Sequence, residues 1–253
     1  MIEVNHVTKL YGSQKALSDV SFKLRNGHIY GLVGPEGAGK TTVMHILAGC
    51  LPPTEGEVFI NGYDLGVHPK EAKRRIGYLP STRPIFGKMT PYEYLSFMAE
   101  VKGVREERLE QRIKGILAAT GLAPVADRLI CRLSDGEQLR VGLAQTLVGT
   151  PDMILLDHPT AGLDPQERGA LLALIRRLSD KLTVVISAPT LDEIRPLCEY
   201  VICLDGGRVV SEETVVQDIP NPSDEEIDLE EMLIADPEID DTYTENSGEV
   251  DAE

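Results

Sequence analysis

Residues 34–41, GPEGAGKT, carry the clearest chemistry in this sequence. They match the pattern G-x-x-x-x-G-K-[ST], in which glycines free backbone N–H groups to point inward around a phosphate. A helix N-terminus following the loop adds the positive end of its dipole, and the lysine reaches the terminal phosphates. Gly34, Pro35, Glu36, Gly37, Ala38, Gly39, Lys40, Thr41 and Thr42 are therefore candidates for holding a nucleoside triphosphate, with the Thr41 hydroxyl on Mg²⁺. The context fits, because an apolar run at 29–33 precedes the loop and a helical pattern begins at Lys40. A second apolar run, at 153–156, ends in Asp157. A carboxylate at the end of a neighbouring buried strand is the second Mg²⁺ contact of P-loop proteins. The next residue is His158, an imidazole of a type that titrates near neutrality. Either it acts as a base, or it stands where a group needed for chemistry has been lost.

These groups need a scaffold, and the pattern around them supplies one. Short strands are expected at 2–7, 20–24, 28–33 and 57–60, separated by turn signals such as Asn61-Gly62. A helix over 40–48 interrupts them and closes at Gly49. From about 85 to 150 the pattern turns helical. Thr90 and Glu93 form a capping box with Pro91 at the first helical position. Leu109, Ile113, Ile116 and Leu117 line one face of a second helix that ends at Gly121. After 150, strands at 153–156, 183–187 and 200–204 alternate with a helix opened by Asp164 and Pro165. Alternation of this kind implies an α/β sheet, here with a helical insert.

Charge divides the chain. Of 41 acidic residues, 17 lie in residues 209–253, which hold no Lys or Arg, leaving 24 acids against 25 bases elsewhere. The body is electrically balanced, which argues against nucleic acid as a partner. The division expected is an ordered region at 1–212 and an acidic, flexible tail at 213–253. Within the tail, Ser223 and Glu226 could cap a short helix carrying Ile227, Met232 and Leu233. No apolar run approaches the roughly 18 residues of a membrane span, and the N-terminus has no secretion-signal pattern. Four scattered cysteines without a C-x-x-C pair read as reduced thiols of the cytosol.

A third element ties these motifs together. The stretch LSDGEQLRVGLAQTLVGTP, 133–151, precedes the Asp157 strand, and PTAGLDP follows it at 159–165. Taken alone, Ser134 and Glu137 are a capping box ahead of an amphipathic helix. Together with the phosphate loop, the chain from residue 1 to about 212 resembles the ATP-binding subunits of ABC transporters, especially prokaryotic subunits encoded apart from their membrane partner. That resemblance implies an α/β P-loop NTPase (RecA-like) core with an antiparallel β subdomain and a helical signature subdomain at about 85–150. It implies that Tyr11 stacks on adenine, although an exposed strand-end tyrosine needs no such role. It places Ser134 and Gly136 on the γ-phosphate of ATP held by a second, facing ATP-binding subunit, and Asp164 in the loop that communicates across that dimer. It also implies a membrane-spanning transporter subunit docking near residues 81–98, and a peripheral position on the cytoplasmic face of the membrane.

The departures from the family pattern gather around one atom. The family has Glu after the aspartate matching Asp157, to polarise the attacking water, and this chain has His158. It has Gln where this chain has Ser81, to sense the γ-phosphate and Mg²⁺. It has His, gripping the γ-phosphate, where this chain has Pro189, which offers neither a side-chain donor nor a backbone N–H. In the signature, Asp135 replaces a Gly and Glu137 a Gln. The groups that grip nucleotide remain while those that manage water and γ-phosphate have changed. The expectation is an ATP-binding subunit with an impaired hydrolytic site, in a heterodimer with a competent subunit or in a homodimer. Two alternatives stand beside it, a self-sufficient ATPase with His158 as base and a nucleotide-dependent regulator without a transport role.

Overall fold

A computed structural model of the chain describes residues 1–82, 85–179 and 182–215. Its central layer is a six-stranded sheet in the order β10-β9-β3-β8-β7-β6. These strands span β3 Ile29–Val33, β6 Ile76–Leu79, β7 Met153–Leu156, β8 Thr183–Ala188, β9 Tyr200–Asp205 and β10 Arg208–Thr214. All neighbours pair in parallel except β9 and β10. Every residue of β3, β7 and β8 is buried, as expected of a parallel sheet covered on both faces. That double burial is why these segments read as unbroken apolar runs rather than alternating ones.

A second, antiparallel sheet has the order β2-β1-β4-β5, from β1 Ile2–Tyr11, β2 Gln14–Leu24, β4 Glu55–Ile60 and β5 Tyr63–Asp64. Its inner face shares a core with one side of the central sheet and with helix α1 Lys40–Leu47, through Leu17, Val43, Met44 and Leu155. The other side of the central sheet is covered by α3 Pro91–Val101, α4 Glu106–Ala119, α5 Asp135–Leu147 and α6 Pro165–Leu178. A short helix, α2 Pro69–Lys73, leads into β6.

Local sequence explains the helix positions. Thr90 Oγ1 accepts from the Glu93 N–H while the Glu93 carboxylate accepts from the Thr90 N–H, closing the expected capping box of α3. In α4, Ile113, Ile116 and Leu117 are buried, and Gly121 follows its end at φ 67°. The seating of α5 depends on missing side chains. A Cβ at Gly77 of β6 would fall 2.3 Å from the carbonyl oxygen of Thr146, and one at Gly142 of α5 would fall 2.8 Å from Leu79 Cδ1. These two glycines let α5 lie directly on β6, which fixes where its N-terminus at Ser134 emerges.

Some boundaries differ from those expected. β1 and β2 run to Tyr11 and from Gln14, longer than 2–7 and 20–24, because irregularities in their pairing between Val4 and Leu10 break the alternation, leaving Leu17 and Ser18 buried side by side. The strand β10, not expected from the sequence, runs two residues past position 212, with Glu212 and Glu213 on an exposed edge strand paired with β9. The helix expected at 223–233 lies outside the described residues. Among those residues, no helix is long and apolar enough to cross a membrane. None of the four cysteines is in a disulfide.

Candidate functional site

The phosphate loop joins β3 to α1, and its glycines are held to their shape by close backbone approach. A Cβ on Gly34 would fall 2.0 Å from the carbonyl oxygen of Leu204. Gly39, at φ 100°, is the N-cap of α1, and a Cβ there would meet Leu17 Cδ2 at 2.6 Å and the Ala16 carbonyl at 2.9 Å. Replacing either glycine would push the loop off the strands that carry it. A hydrogen bond from the Gly207 N–H to the Ala38 carbonyl (3.2 Å) ties the loop to the β9–β10 turn, and one from the Ser18 N–H to Gly207 (2.8 Å) continues to β2.

Lys40 opens α1 and is 4% exposed. Its Nζ donates to the carbonyl oxygens of Gly34 (2.6 Å) and Pro35 (2.8 Å), curling over the loop it belongs to. Burial pulls the ammonium below its ordinary pKa, while the Asp157 and Glu36 carboxylates oppose that loss of charge. The result is a lysine held inward, with acceptors that an incoming phosphate can replace.

Asp157 lies at the end of β7, 1% exposed. The sequence expectation placed this carboxylate on a strand neighbouring the loop strand, but β8 intervenes between β3 and β7. Ser187 of β8 fills that interval. Its hydroxyl donates to Asp157 Oδ1 (2.6 Å) and accepts from the His158 backbone N–H (2.8 Å). Ser187 is fully buried, so one hydroxyl positions the carboxylate and the backbone of the following residue together. Sequence reasoning passed over Ser187, because only the strand order brings it against Asp157. His158 itself has φ 51°, an uncommon conformation for a residue with a side chain. Nearby, Thr160 Oγ1 donates to Glu193 Oε2 (3.0 Å), joining the segment after Asp157 to the segment after Pro189.

Above the loop is a cleft of about 830 Å³. Glu36, Gly37, Ala38, Gly39, Lys40, Thr41 and Thr42 form its floor, and Tyr11, 47% exposed, lies at its edge with Lys9 Nζ 5.7 Å from the ring centroid. Ser81, His158 and Pro189, the three departures, all line this same cleft. They come from the ends of β6, β7 and β8, three adjacent strands. The three expected departures therefore share the lining of one cleft. Lys15, Gly206 and Gly207 also line the cleft, without any local motif to mark them. Gly34 and Pro35 contribute the carbonyls that accept from Lys40 Nζ, and Asp157 immediately precedes His158 in the chain.

Ser134, Gly136 and Asp164 are not part of this lining. Ser134 is the N-cap of α5, where its Oγ accepts from the Glu137 N–H (3.2 Å) and its own N–H donates to Glu137 Oε2 (2.8 Å). Hydrogen bonds from Ser134 hold the Glu137 carboxyl below its usual pKa, so that side chain is a fixed negative charge. Asp164 caps α6 in the same way, accepting from the N–H groups of Gln166 and Glu167 (both 2.8 Å). A Cβ on Gly136 would lie 3.6 Å from Glu167 Oε1, so the N-termini of α5 and α6 adjoin. The three residues lie outside the cleft lining, with Ser134 and Asp164 exposed and Gly136 half-buried.

The arrangement fits a nucleotide with its cation. Asp157 Oδ2 is buried without a hydrogen-bond partner, a costly state for a carboxylate oxygen that a cation relieves. Asp157 and Thr41, at the start of α1, are the residues that would hold Mg²⁺. That ion would supply neutralisation of phosphate charge. The backbone N–H groups at the start of α1 and the Lys40 ammonium would hold the phosphates themselves.

A family model described as ABC transporter matches residues 17–161, more than half the chain. This chain belongs to the ABC transporter family. Among its relatives in that family, Methionine import ATP-binding protein MetN 1 of Paraburkholderia xenovorans (strain LB400) is 32% identical over 235 residues, covering 89% of this chain and 68% of that protein. Linearmycin resistance ATP-binding protein LnrL of Bacillus subtilis (strain 168) is 29% identical over 212 residues, covering 83% and 68%. Among solved structures, a dimeric, post-hydrolysis state of the ATP-binding cassette MJ0796 bound to ADP and Pi superposes with a TM-score of 0.77 at 28% identity, covering 85% of this chain and 99% of that one. The fold is therefore the ABC cassette, an α/β P-loop NTPase core as the sequence implied. The family match spans the phosphate loop, Ser81, Ser134, Asp157 and His158, while Tyr11, Asp164 and Pro189 fall outside it.

Proposed function

We propose that this chain is the ATP-binding subunit of a transporter, holding Mg-ATP at an interface with a second ATP-binding subunit and coupled to a membrane-spanning partner. Its own hydrolytic site is impaired. One observation carries the reading. The cleft that retains Lys40, the glycine loop and an unpartnered Asp157 oxygen is walled by Ser81, His158 and Pro189. A proline ring offers the γ-phosphate no donor, and the Ser81 hydroxyl is a shorter donor than the glutamine of the family pattern. His158 is left without partners to fix a water against it, and geometry precedes basicity in a general base. Relatives named for methionine import and for linearmycin resistance support the transport role, and the dimeric MJ0796 cassette supports the pairing. The chain would then lie at the cytoplasmic face of the membrane, held by its partner.

The paired arrangement makes Ser134 and Gly136 this chain's contribution to a competent subunit's site. Adding a hydrolysis-competent ATP-binding subunit that co-purifies with this chain is expected to raise phosphate release, and Ser134→Arg to abolish that gain. Arginine removes the N-cap, which costs about 1 kcal/mol of stability, so a melting curve in parallel separates lost folding from lost donation. A gain that survives Ser134→Arg would show that this surface plays no part in the partner's turnover.

A further inference from the structure

Glu36 is the third residue of the phosphate loop, exposed, and it follows the residue whose carbonyl accepts from Lys40 Nζ at 2.8 Å. It lines the cleft together with Ser81, His158 and Pro189. Its carboxylate and the Lys40 ammonium are near enough to attract each other. A terminal phosphate drawn to Lys40 therefore enters the field of Glu36.

The two ends of a bound polyphosphate would meet opposite surroundings. Phosphates seated on the loop meet glycine N–H groups, the N-terminus of α1 and the Lys40 ammonium. All of these favour negative charge. A further phosphate at the outer end would meet the Ser81 hydroxyl, the donorless Pro189 and the Glu36 carboxylate, in a cleft that Lys15 also lines. Beyond the reach of Lys40, the outer position thus offers a short hydroxyl and a residue without a donor, and it carries a like charge. Extra phosphate charge placed there gains little from the walls and is repelled by the loop itself.

Resting on the reading of this cleft as the ATP site, we infer that Glu36 sets its nucleotide preference against the γ-phosphate. The cleft then takes a nucleoside diphosphate about as tightly as the triphosphate. A like charge several ångströms away in a partly exposed site is worth about tenfold in affinity, and salt screens it. The loop shape does not depend on this side chain, because the backbone positions of Gly34 and Gly39 are set by contacts with Leu204 and Ala16.

The test is equilibrium binding of ADP and of the non-hydrolysable β,γ-imido analogue of ATP, each with Mg²⁺, to the wild-type chain and to Glu36→Gln. The wild type is expected to bind the two with dissociation constants within about threefold of each other. In Glu36→Gln the preference for the triphosphate analogue rises about tenfold, and that rise shrinks at high salt. A wild-type chain that already prefers the analogue by tenfold or more overturns the inference, and so does a Glu36→Gln preference equal to the wild type's. If the wild type binds neither nucleotide, the reading of the cleft as an ATP site falls, and the inference falls with it.

Discussion

Lys40→Ala is expected to weaken Mg-ATP binding by about 100-fold, which is about 2.7 kcal/mol. Hydrogen bonds to charged groups contribute roughly 1.5–3 kcal/mol each, and the Lys40 ammonium is the cation in the cleft floor. Its removal acts twice. The phosphates lose a point charge, and the Gly34 and Pro35 carbonyls lose the donor that holds them at 2.6 and 2.8 Å. Folding should be nearly untouched, because a 4% exposed ammonium carries a desolvation cost that offsets its two hydrogen bonds. Titration calorimetry with Mg-ATP, beside a melting curve without nucleotide, separates the two effects. Unchanged affinity in a folded variant would mean that the loop does not bind phosphate through Lys40.

Restoring the three family residues together, as Ser81→Gln, His158→Glu and Pro189→His, is expected to raise Lys40-dependent phosphate release by about 100-fold or more. General acid–base catalysis by a placed group contributes roughly 10²–10⁴, and the other two substitutions return γ-phosphate donors to the same cleft wall. His158→Glu alone should give far less, since a base without a held water and a held phosphate lacks the geometry it needs. The contrast between the single and the triple variant is informative because the three positions end adjacent strands, β6, β7 and β8. Phosphate release measured against the same variants carrying Lys40→Ala checks it. Equal rates in the triple variant and the wild type would place the limit on hydrolysis outside these three residues.

The binding half of the site was legible because its signals are local. The spacing of Gly34, Gly39, Lys40 and Thr41 lies within eight residues, and Asp157 ends an apolar run that needed no partner to be recognised. Resemblance to a family supplied what spacing could not, namely that Ser81, His158 and Pro189 stand at related positions. Ser187 stayed hidden because it is 30 residues from Asp157 and meets it only through the β7–β8 pairing. The role of Gly77 and Gly142 was hidden in the same way, since each matters only through the helix or strand pressed against it. β10 carries no strand signal because it is an exposed edge strand, and its last two residues, Glu213 and Thr214, fall within the acidic tail expected from 213. Boundaries thus failed where exposure or irregular pairing removed the alternating apolar signal, and Ser187 was missed where the chain meets itself at a distance.

The cleft is expected to bind ATP without hydrolysing it, and phosphate release from the purified wild-type chain, saturated with Mg-ATP and set beside Lys40→Ala, checks this. The expected result is nucleotide bound by the wild type and phosphate released no faster than from Lys40→Ala. Release that depends on Lys40 and reaches the roughly 1 s⁻¹ or more of an ordinary enzyme would contradict it, and would make His158 or another group in the cleft a working base.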